Sequence, residues 1–342
     1  LICFSLYFLL LILSFDNFAD SKFDGGYRIE QSYISRGYRY NQYAYLPTNL
    51  TSVILTDESR LGYDAFVNCT CLSNVSLNVG VVSIGDLAFG NCTGLESVNI
   101  PDSITSVSAS AFNGCTDKLV DTSTVPGLKL VDGWVIGYTE KPTGDLDLSG
   151  SGIRGVCGVF SGCTGLTSVK FPETTKVIGA STFSGCTSLT NVALPSALAV
   201  IDSSAFRDCT ALRGLDIPDG VKKIGDYAFY NCRAITDLPL PNSVTNIGSY
   251  AFASCQGLKT MTVPDSVERI GTYVFSDCVA LQTVELPMTL TEIPNYAFNN
   301  CKALMSIALP EKLTRIGDHA FANCIGLSEV ENRNVCLDLV ND

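Results

Sequence analysis

The sequence predicts an α/β repeat solenoid, right-handed and curved, with a parallel sheet on its concave face and short helical turns or irregular coil elsewhere. A Phe recurs every 23 residues along most of the chain, and a fixed period of this size is typical of repeat architectures. A Cys follows each of these Phe residues by three positions, and a short alternating apolar pair ending in Pro completes most periods. The recurring residues are Phe66, Phe89, Phe112, Phe160, Phe183, Phe206, Phe229, Phe252, Phe275, Phe298 and Phe321.

Each period contains one short strand. Aliphatic residues lie nine and eleven positions after the Phe, as Val284 and Leu286 do, and a spacing of two places both on one side of a strand. Pro287 ends this strand, because Pro donates no backbone N–H. The intervening exposed positions are mostly small and polar: Ser97/Asn99, Ser168/Lys170, Asn191/Ala193, Asp237/Pro239, Thr260/Thr262, Thr283/Glu285 and Ser306/Ala308.

The rest of each period predicts a return edge and one capped helical turn. A second apolar pair, such as Val221 and Ile224, forms the return edge. A capping residue type lies three positions before the Phe, as Asp226 does. Two positions after the Phe comes Asn, Gly, Asp or Ser, such as Asn231; Gly and Asn adopt the left-handed conformation most readily, and that conformation commonly ends a helical turn. One period cannot bury its own Phe and Leu, so neighbouring periods are expected to stack.

The pattern L-x-x-V-x-I-P…V-x-x-I-G-x-x-A-F-x-x-C resembles the BspA-like family of leucine-rich repeats over about residues 50–332. The resemblance implies a leucine-rich-repeat horseshoe. It also implies a cell-surface or secreted protein that binds host or matrix proteins. Both implications are expectations that go beyond what the residues themselves establish.

The sequence divides into five segments. Residues 1–20 begin with an apolar run that fits a truncated signal peptide or an uncleaved signal anchor, the alternative being a leader with no targeting role. Residues 21–49 are Tyr-rich and predict an N-terminal cap or linker, although interleaved Tyr and Arg can also stack on nucleic acid. A first repeat block covers 50–120, an insertion covers 121–144, and a second block, 145–342, is expected to continue beyond the last residue.

The insertion predicts a β-hairpin, because Asp132-Gly133 lies between two apolar runs. A similar D-G-W-V-I-G-Y element occurs between repeat blocks of the BspA-like family. Trp134, the only Trp, is a candidate binding residue of this hairpin. The alternative is that Trp134 fills the hydrophobic gap where the array is interrupted.

A column of aromatic residues lies two positions before successive Phe residues. Stacked periods, about 4.8 Å apart, would align these rings along one edge of the array. They are candidate binding residues, because Tyr is enriched among binding hot spots. The alternative is that the rings cover the turns and stabilise their neighbours by stacking. The column consists of Tyr227, Tyr250, Tyr273, Tyr296 and His319.

The cysteines predict a buried ladder of free thiols. Of 15 Cys residues, eleven lie in phase with the Phe column, a spacing unlike that of zinc sites, and scattered disulfides are the alternative. No metal or cofactor is therefore predicted. The sequence contains one His and no Walker, H-E-x-x-H or G-x-S-x-G motif, which argues against an enzyme.

Together these observations predict a non-catalytic binding protein that is secreted or at the cell surface. Its expected role is adhesion or recognition of a protein, an extracellular-matrix ligand or a glycan, because shallow solenoid surfaces bind proteins and polymers. A net charge of −12 argues against nucleic acid as partner, and membrane contact is expected only through an uncleaved N-terminal anchor. The alternative is an intracellular interaction scaffold in the cytoplasm, where reduced Cys residues are usual.

Overall fold

The computed structural model of the protein describes residues 27–35, 38–46, 50–54 and 60–332. The chain forms two compact units, Leu1–Thr139 and Glu140–Asp342. The predicted signal segment, 1–20, lies outside the described residues, and the predicted cap or linker at 21–49 is described only by the backbone of its two strands. The regular elements of the described residues are all β-strands.

The first unit contains ten strands in its described part. They are β1 (Tyr27–Ser35), β2 (Tyr38–Leu46), β3 (Ser52–Ile54), β4 (Arg60–Leu61), β5 (Asn74–Ser76), β6 (Ser83–Ile84), β7 (Ser97–Asn99), β8 (Ser106–Val107), β9 (Leu128–Val131) and β10 (Trp134–Tyr138). Strands β1 and β2 pair antiparallel, as do β9 and β10. Strands β3, β5 and β7 form one parallel ladder, and β4, β6 and β8 form a second.

The second unit repeats this arrangement of two parallel ladders. Its strands are β11 (Gly144–Asp147), β12 (Gly155–Val156), β13 (Leu166–Lys170), β14 (Val177–Ile178), β15 (Asn191–Ala193), β16 (Val200–Ile201), β17 (Lys223–Ile224), β18 (Asn246–Ile247), β19 (Thr260–Thr262), β20 (Arg269–Ile270), β21 (Thr283–Glu285), β22 (Glu292–Ile293), β23 (Ser306–Leu309), β24 (Arg315–Ile316) and β25 (Glu329–Asn332). At the first-ladder position β11 pairs with β13, β13 with β15, β19 with β21, and β23 with β25, whereas residues 212–218 and 235–240, where strands were predicted, form none. At the second-ladder position β12, β14, β16, β17, β18 and β20 pair in succession, and β22 pairs with β24.

The predicted solenoid of stacked parallel strands is confirmed. Each three-residue strand of the first ladder from β5 onward buries its middle residue and exposes the two beside it, which is the predicted alternation. The second residue of the return pair, predicted as an edge, lies in a two-residue strand that pairs in register with the next coil, as Ile224 does with Ile247. The curvature and right-handedness of the array stay predictions.

The core is a stack of phenylalanine rings. Consecutive rings of the Phe column lie 5.3–5.7 Å apart between centroids, in nearly parallel orientation, from Phe66 to Phe112 and from Phe160 to Phe321. Rings such as Phe229 and Phe275 are fully buried. Parallel displaced stacking of this kind adds to the stabilisation from burial of the rings.

The predicted helical turn around each Phe is wrong, since the described residues form no helix. Overlapping tight turns take its place: Tyr230 N donates to Tyr227 O at 3.1 Å, and Cys232 N donates to Phe229 O at 3.2 Å. The Phe229 N–H donates instead to Ala251 O of the next coil at 2.8 Å. Backbone donors that a helix would use internally therefore join adjacent coils.

The residue three positions before each Phe also has a different role from the predicted helix cap. Asp226 Oδ1 accepts a hydrogen bond from Ser249 N, the equivalent residue of the next coil, at 2.7 Å. Asn295 Oδ1 accepts one from Asp318 N at 3.0 Å in the same way. These side chains join adjacent coils. The turn that follows each of them leads on into the next coil and not into a helix, so there is no helix for them to cap.

Close approach of the coils explains the Gly that often precedes this position. A Cβ on Gly225 would lie 2.5 Å from Ser203 N of the preceding coil. A side chain at this point would force the two backbones apart, so the I-G pair of the repeat is a packing requirement.

The interruption of the period contains the predicted hairpin and one irregular coil. Strands β9 and β10 are joined by Asp132 and Gly133, both with positive φ, as a tight two-residue hairpin turn requires. The following segment keeps both ladders, because β11 pairs with β13 and β12 pairs with β14. Ile153 and Val156, which take the place of the return pair in this coil, are both fully buried.

Candidate binding surfaces

The strand face, defined here as the outward side chains of the first ladder in each unit, is an exposed and mostly small polar surface. The residues of β5, β7, β15, β19 and β21 that flank the buried position are all exposed. Carboxylates on this face are hydrogen-bonded to their neighbours. Asp145 Oδ1 accepts from Ser168 Oγ at 2.6 Å and from Thr167 Oγ1 at 2.8 Å, and these bonds lower the pKa of Asp145.

In the first unit the strand face forms an open trough of about 540 Å³, lined by Ser52, Asn74, Ser76, Ser97, Asn99 and Asp132. Ser97 Oγ donates to Asn74 Oδ1 at 2.7 Å, so the side chains of successive coils are linked across the trough. Asp132, in the turn of the β9–β10 hairpin, accepts a hydrogen bond from Ile100 N at 2.8 Å. The hairpin thereby places one carboxylate beside an otherwise uncharged surface.

The five predicted aromatic residues come together as one stack, the aromatic ladder. Ring centroids are 4.7 Å apart for Tyr227–Tyr250, 4.5 Å for Tyr250–Tyr273 and 4.5 Å for Tyr273–Tyr296. His319 continues the stack on Tyr296 at 4.9 Å, and no interplanar angle exceeds 10°. The tyrosines are half-buried and His319 is exposed.

Stacking determines which part of each ring a partner can contact. Tyr250, Tyr273 and Tyr296 have a neighbouring ring on both faces, so only their edges and hydroxyl groups reach the surface. Burial, together with the neighbouring Tyr273 and Tyr227, raises the pKa of Tyr250. The three inner rings therefore present hydroxyl groups to a partner as hydrogen-bonding groups, and not open aromatic faces.

The aromatic ladder has a backbone feature that the sequence did not reveal. Each of its five residues has positive φ, between 55° and 57°. Bulky residues rarely adopt this left-handed conformation, which costs roughly 1–2 kcal/mol per residue. Other coils gave a sequence signal for this conformation, because their residues in the same column are small: Gly158, Ser181 and Ser204, which also have positive φ.

Trp134 is buried in the first unit, whereas the aromatic ladder belongs to the second. Its side chain is only 2% exposed, and its Nε1 makes no hydrogen bond to the described residues. A partner on the surface would not reach the indole in this conformation. The geometry favours the alternative prediction, in which Trp134 fills the core at the hairpin.

No group of three His, Cys, Asp or Glu side chains among the described residues is placed to hold a metal ion. The same part of the chain contains no helix long and apolar enough to cross a membrane.

Comparison with known families identifies the repeat. The model of the BspA type leucine rich repeat region matches the sequence in six copies, over residues 39–130, 157–241 and 222–339. The chain belongs to the BspA-type leucine-rich repeat family. This membership confirms the resemblance seen in the 23-residue pattern.

Several solved structures similar to this BspA-type protein are leucine-rich repeat proteins. A T. pallidum leucine rich repeat protein is 26% identical over 62% of this chain and 90% of its own, with a TM-score of 0.42. A leucine rich cell surface protein from Faecalibacterium prausnitzii is 24% identical, over 88% and 94%, with a TM-score of 0.38. A leucine-rich repeat protein from Eubacterium ventriosum is 20% identical, over 85% and 92%, with a TM-score of 0.44. A search of curated protein sequences found no match.

The Cys column of this BspA-type array is a ladder of free thiols, as predicted. The thirteen described cysteines form no disulfide, and most of them are buried. Each thiol in the column, after the first of its unit, donates to the carbonyl of the Phe in the preceding coil, as Cys255 Sγ does to Phe229 O at 3.1 Å. Burial raises the pKa of Cys255 to about 12. A thiol whose pKa is raised in this way is a protonated structural group and not a nucleophile.

Proposed function

We propose that this protein is a non-catalytic binding protein that is secreted or at the cell surface and mediates adhesion or recognition of a protein partner. The strand face carries this proposal. It is a broad, exposed surface of small polar side chains on a rigid array, and surfaces of this shape suit extended partners better than small substrates. The aromatic ladder is a second surface on which hydroxyl groups are held in a row.

A catalytic role has less support in the geometry. The only His, His319, stacks on Tyr296 at the exposed end of the aromatic ladder and makes no hydrogen bond to a described Ser or Cys. Burial raises the pKa of most of the regularly spaced thiols, as it does for Cys92 and Cys186, each to about 12, whereas the hydrogen bond with Cys301 lowers the pKa of Cys324 at the last described coil. Nucleophilic catalysis needs a nucleophile beside a base or with a lowered pKa.

A glycan is a second candidate partner for the first unit. Its trough is lined by the amides and hydroxyls of Asn74, Ser76, Ser97 and Asn99, which can donate and accept hydrogen bonds. A lining of amides and hydroxyls with the single carboxylate of Asp132 matches the hydroxyl groups of a neutral saccharide.

The proposed location at the cell surface or outside the cell rests on the apolar run at residues 1–13 and on what the family resemblance implies. One structural observation favours the intracellular alternative. The eleven cysteines of the column form no disulfide, and free thiols are more usual in reducing compartments. Fractionation of the native cell separates the two locations. Recovery of the full-length protein in the cytosol would replace the surface role with that of an intracellular scaffold.

Binding by the strand face can be tested with two variants in one coil. Asn191→Arg with Ala193→Arg changes two exposed strand-face positions, whereas Thr187→Arg with Ser188→Arg places the same charge on exposed turn positions. Biolayer interferometry against purified extracellular proteins and glycans should show binding by the wild type and the turn variant. The strand-face variant should lose at least tenfold in affinity with an unchanged melting temperature. Equal losses in both variants, or no binding by the wild type, would contradict the proposal.

A further inference from the structure

Two arginines at one end of the aromatic ladder belong to a connected polar cluster. Arg207 Nε donates to Asp208 Oδ2 at 3.2 Å, and Asn231 Nδ2 donates to Asp208 Oδ1 at 2.7 Å. Arg233 Nε then donates to Asn231 Oδ1 at 2.6 Å. These four residues, here called the arginine relay, join two adjacent coils through side chains alone.

The backbone fixes the middle of the arginine relay. Asp208 and Asn231 both have positive φ, near 60°, because they occupy the left-handed position that follows each Phe. Asp208 N donates to Tyr230 O, and Asn231 N donates to Ala253 O, both at 2.8 Å. The relay is thus attached to the intercoil hydrogen bonds and does not depend on a mobile loop.

Two tyrosine rings hold the Arg207 guanidinium from the other side. Its Cζ lies 5.6 Å from the centroid of Tyr227, the first ring of the aromatic ladder, and 5.3 Å from that of Tyr230. The two rings meet at 64°, so the guanidinium lies in the angle between them. Cation–π attraction and the Asp208 bond together limit the motion of this side chain.

Both guanidinium groups keep unused donors. Each makes its hydrogen bond through Nε, and the terminal nitrogens of Arg207 and Arg233 make none to the described residues. Both arginines are exposed. Two guanidinium groups and the single Asp208 carboxylate leave the relay with one net positive charge.

We propose that the arginine relay is a carboxylate-binding site that receives an Asp or Glu side chain of the protein partner. This proposal rests on the proposed binding function and adds the chemistry of one contact. A guanidinium held at Nε presents its terminal nitrogens as a fork that matches a carboxylate. Tyr and Arg are the residue types enriched at binding hot spots, and a preordered side chain loses less entropy on binding.

The charge of the whole chain selects among anionic partners. With a net charge of −12 the protein repels a densely charged polymer such as a sulfated glycan. A protein segment with one or two carboxylates in neutral surroundings escapes most of this repulsion, because the attraction at the relay acts over a short distance. The expected occupant is therefore an acidic side chain within a nearly neutral segment.

The test uses the full chain and two blocked peptides, Gly-Glu-Gly-Glu-Gly and Gly-Gln-Gly-Gln-Gly. Titration followed by NMR of the arginine Nε–H signals should show saturable shifts at Arg207 and Arg233 with the Glu peptide, and at least tenfold weaker binding of the Gln peptide. Arg207→Gln and Arg233→Gln, each checked for an unchanged melting temperature, should each weaken binding of the Glu peptide at least tenfold. Arg269→Gln, a change at another exposed arginine, should leave it unaltered.

Three results would overturn the carboxylate site: equal binding of the two peptides, an equal loss in Arg269→Gln, or tighter binding of heparin than of the Glu peptide at the relay. The proposed binding function has a separate readout. Should the strand-face variant lose a purified partner that Arg207→Gln and Arg233→Gln still bind with wild-type affinity, the binding function stands and the relay proposal falls.

Discussion

At the scale of single residues, the Cys column shows why a small polarisable donor recurs beside each Phe. Phe229 O accepts one hydrogen bond from Cys232 N of its own coil at 3.2 Å and another from Cys255 Sγ of the next at 3.1 Å. A carbonyl oxygen has two lone pairs, and this arrangement occupies both. The sequence predicted that the thiols are buried, because they lie in phase with Phe. It could not predict their acceptor, which belongs to another coil and to the backbone.

Alkaline pH should destabilise the array through these thiols. Burial raises the pKa of Cys92, Cys186 and Cys255 to about 12, from an ordinary value of 9.0. Because the folded pKa is the higher one, this stabilisation is complete below about pH 9 and is lost as the pH rises toward 12. The free energy of unfolding, measured with urea, should therefore fall between pH 8 and pH 10.5.

A variant with Cys186→Ala, Cys209→Ala and Cys232→Ala isolates the thiol contribution, since Tyr and Lys titrate in the same range. Its stability at pH 8 should be lower than that of the wild type, because three thiol–carbonyl bonds are missing. Its further loss up to pH 10.5 should be smaller. An equal alkaline loss in the two proteins would show that the thiols are not responsible.

At the scale of elements, the turn around each Phe is where prediction from the sequence failed. A capping residue type before the Phe and a left-handed residue after it are the usual signals of a short helix. The structure adds a second left-handed residue two positions before the Phe, such as Tyr250, and two such residues four apart prevent a helix. The sequence did not reveal this second left-handed residue, because Tyr is an unfavourable residue for this conformation.

The aromatic ladder offsets the strain of its own backbone. A residue in the left-handed conformation costs roughly 1–2 kcal/mol, and an aromatic pair contributes about 0.5–1.5 kcal/mol beyond burial. Tyr250 stacks on a ring at each face, so its two contacts are comparable to its strain. The alternative prediction, that the rings stabilise their neighbours, accounts for Tyr in this column without a partner, and the binding role of the ladder stays a proposal.

At Tyr250 the usual order of stability, in which an Ala variant is more stable than a Gly variant, should be reversed. Both Tyr250→Ala and Tyr250→Gly lose the stacking, but Gly adopts positive φ without strain. We expect Tyr250→Gly to be more stable than Tyr250→Ala by about 1 kcal/mol in urea unfolding. Tyr230 is the matched control, because it is also half-buried but has no positive φ, and there Gly should be the less stable replacement. The same order of Ala and Gly at both positions would rule out backbone strain at Tyr250.

At the scale of the whole molecule, the 23-residue period made the architecture predictable. Phe229, Phe252 and Phe275 stack on one another, and the return strands of the coils beside them pair in register, so the register of one repeat determines that of its neighbours. The arginine relay could not be predicted in this way. The period places Arg207 beside Tyr230, the equivalent residue of the next coil, but it does not encode the side-chain direction that brings the guanidinium between Tyr230 and Tyr227.

Truncation of a core Phe should lower the free energy of unfolding by different amounts at different positions in the second unit. Phe252 is 1% exposed and stacks on Phe229 at 5.6 Å and on Phe275 at 5.5 Å. Phe252→Ala should cost about 3–5 kcal/mol, as for other buried Phe residues, since the adjacent coils cannot close the cavity. Phe321 is half-buried, and among the described rings it stacks on Phe298 alone, at 5.3 Å. Phe321→Ala should cost about 1–2 kcal/mol.

Amide hydrogen exchange distinguishes a local loss of stability from a loss across the whole unit. In an array coupled between nearest neighbours, Phe252→Ala should raise exchange most strongly at the backbone bonds that join its coil to the two beside it, such as Phe229 N to Ala251 O and Phe252 N to Val274 O. Phe321→Ala should raise exchange in the coils around Phe298 and Phe321 and leave the Phe229–Phe252 bonds protected. Uniform deprotection of the unit by both variants, with equal losses of stability, would contradict nearest-neighbour coupling and indicate a single cooperative core.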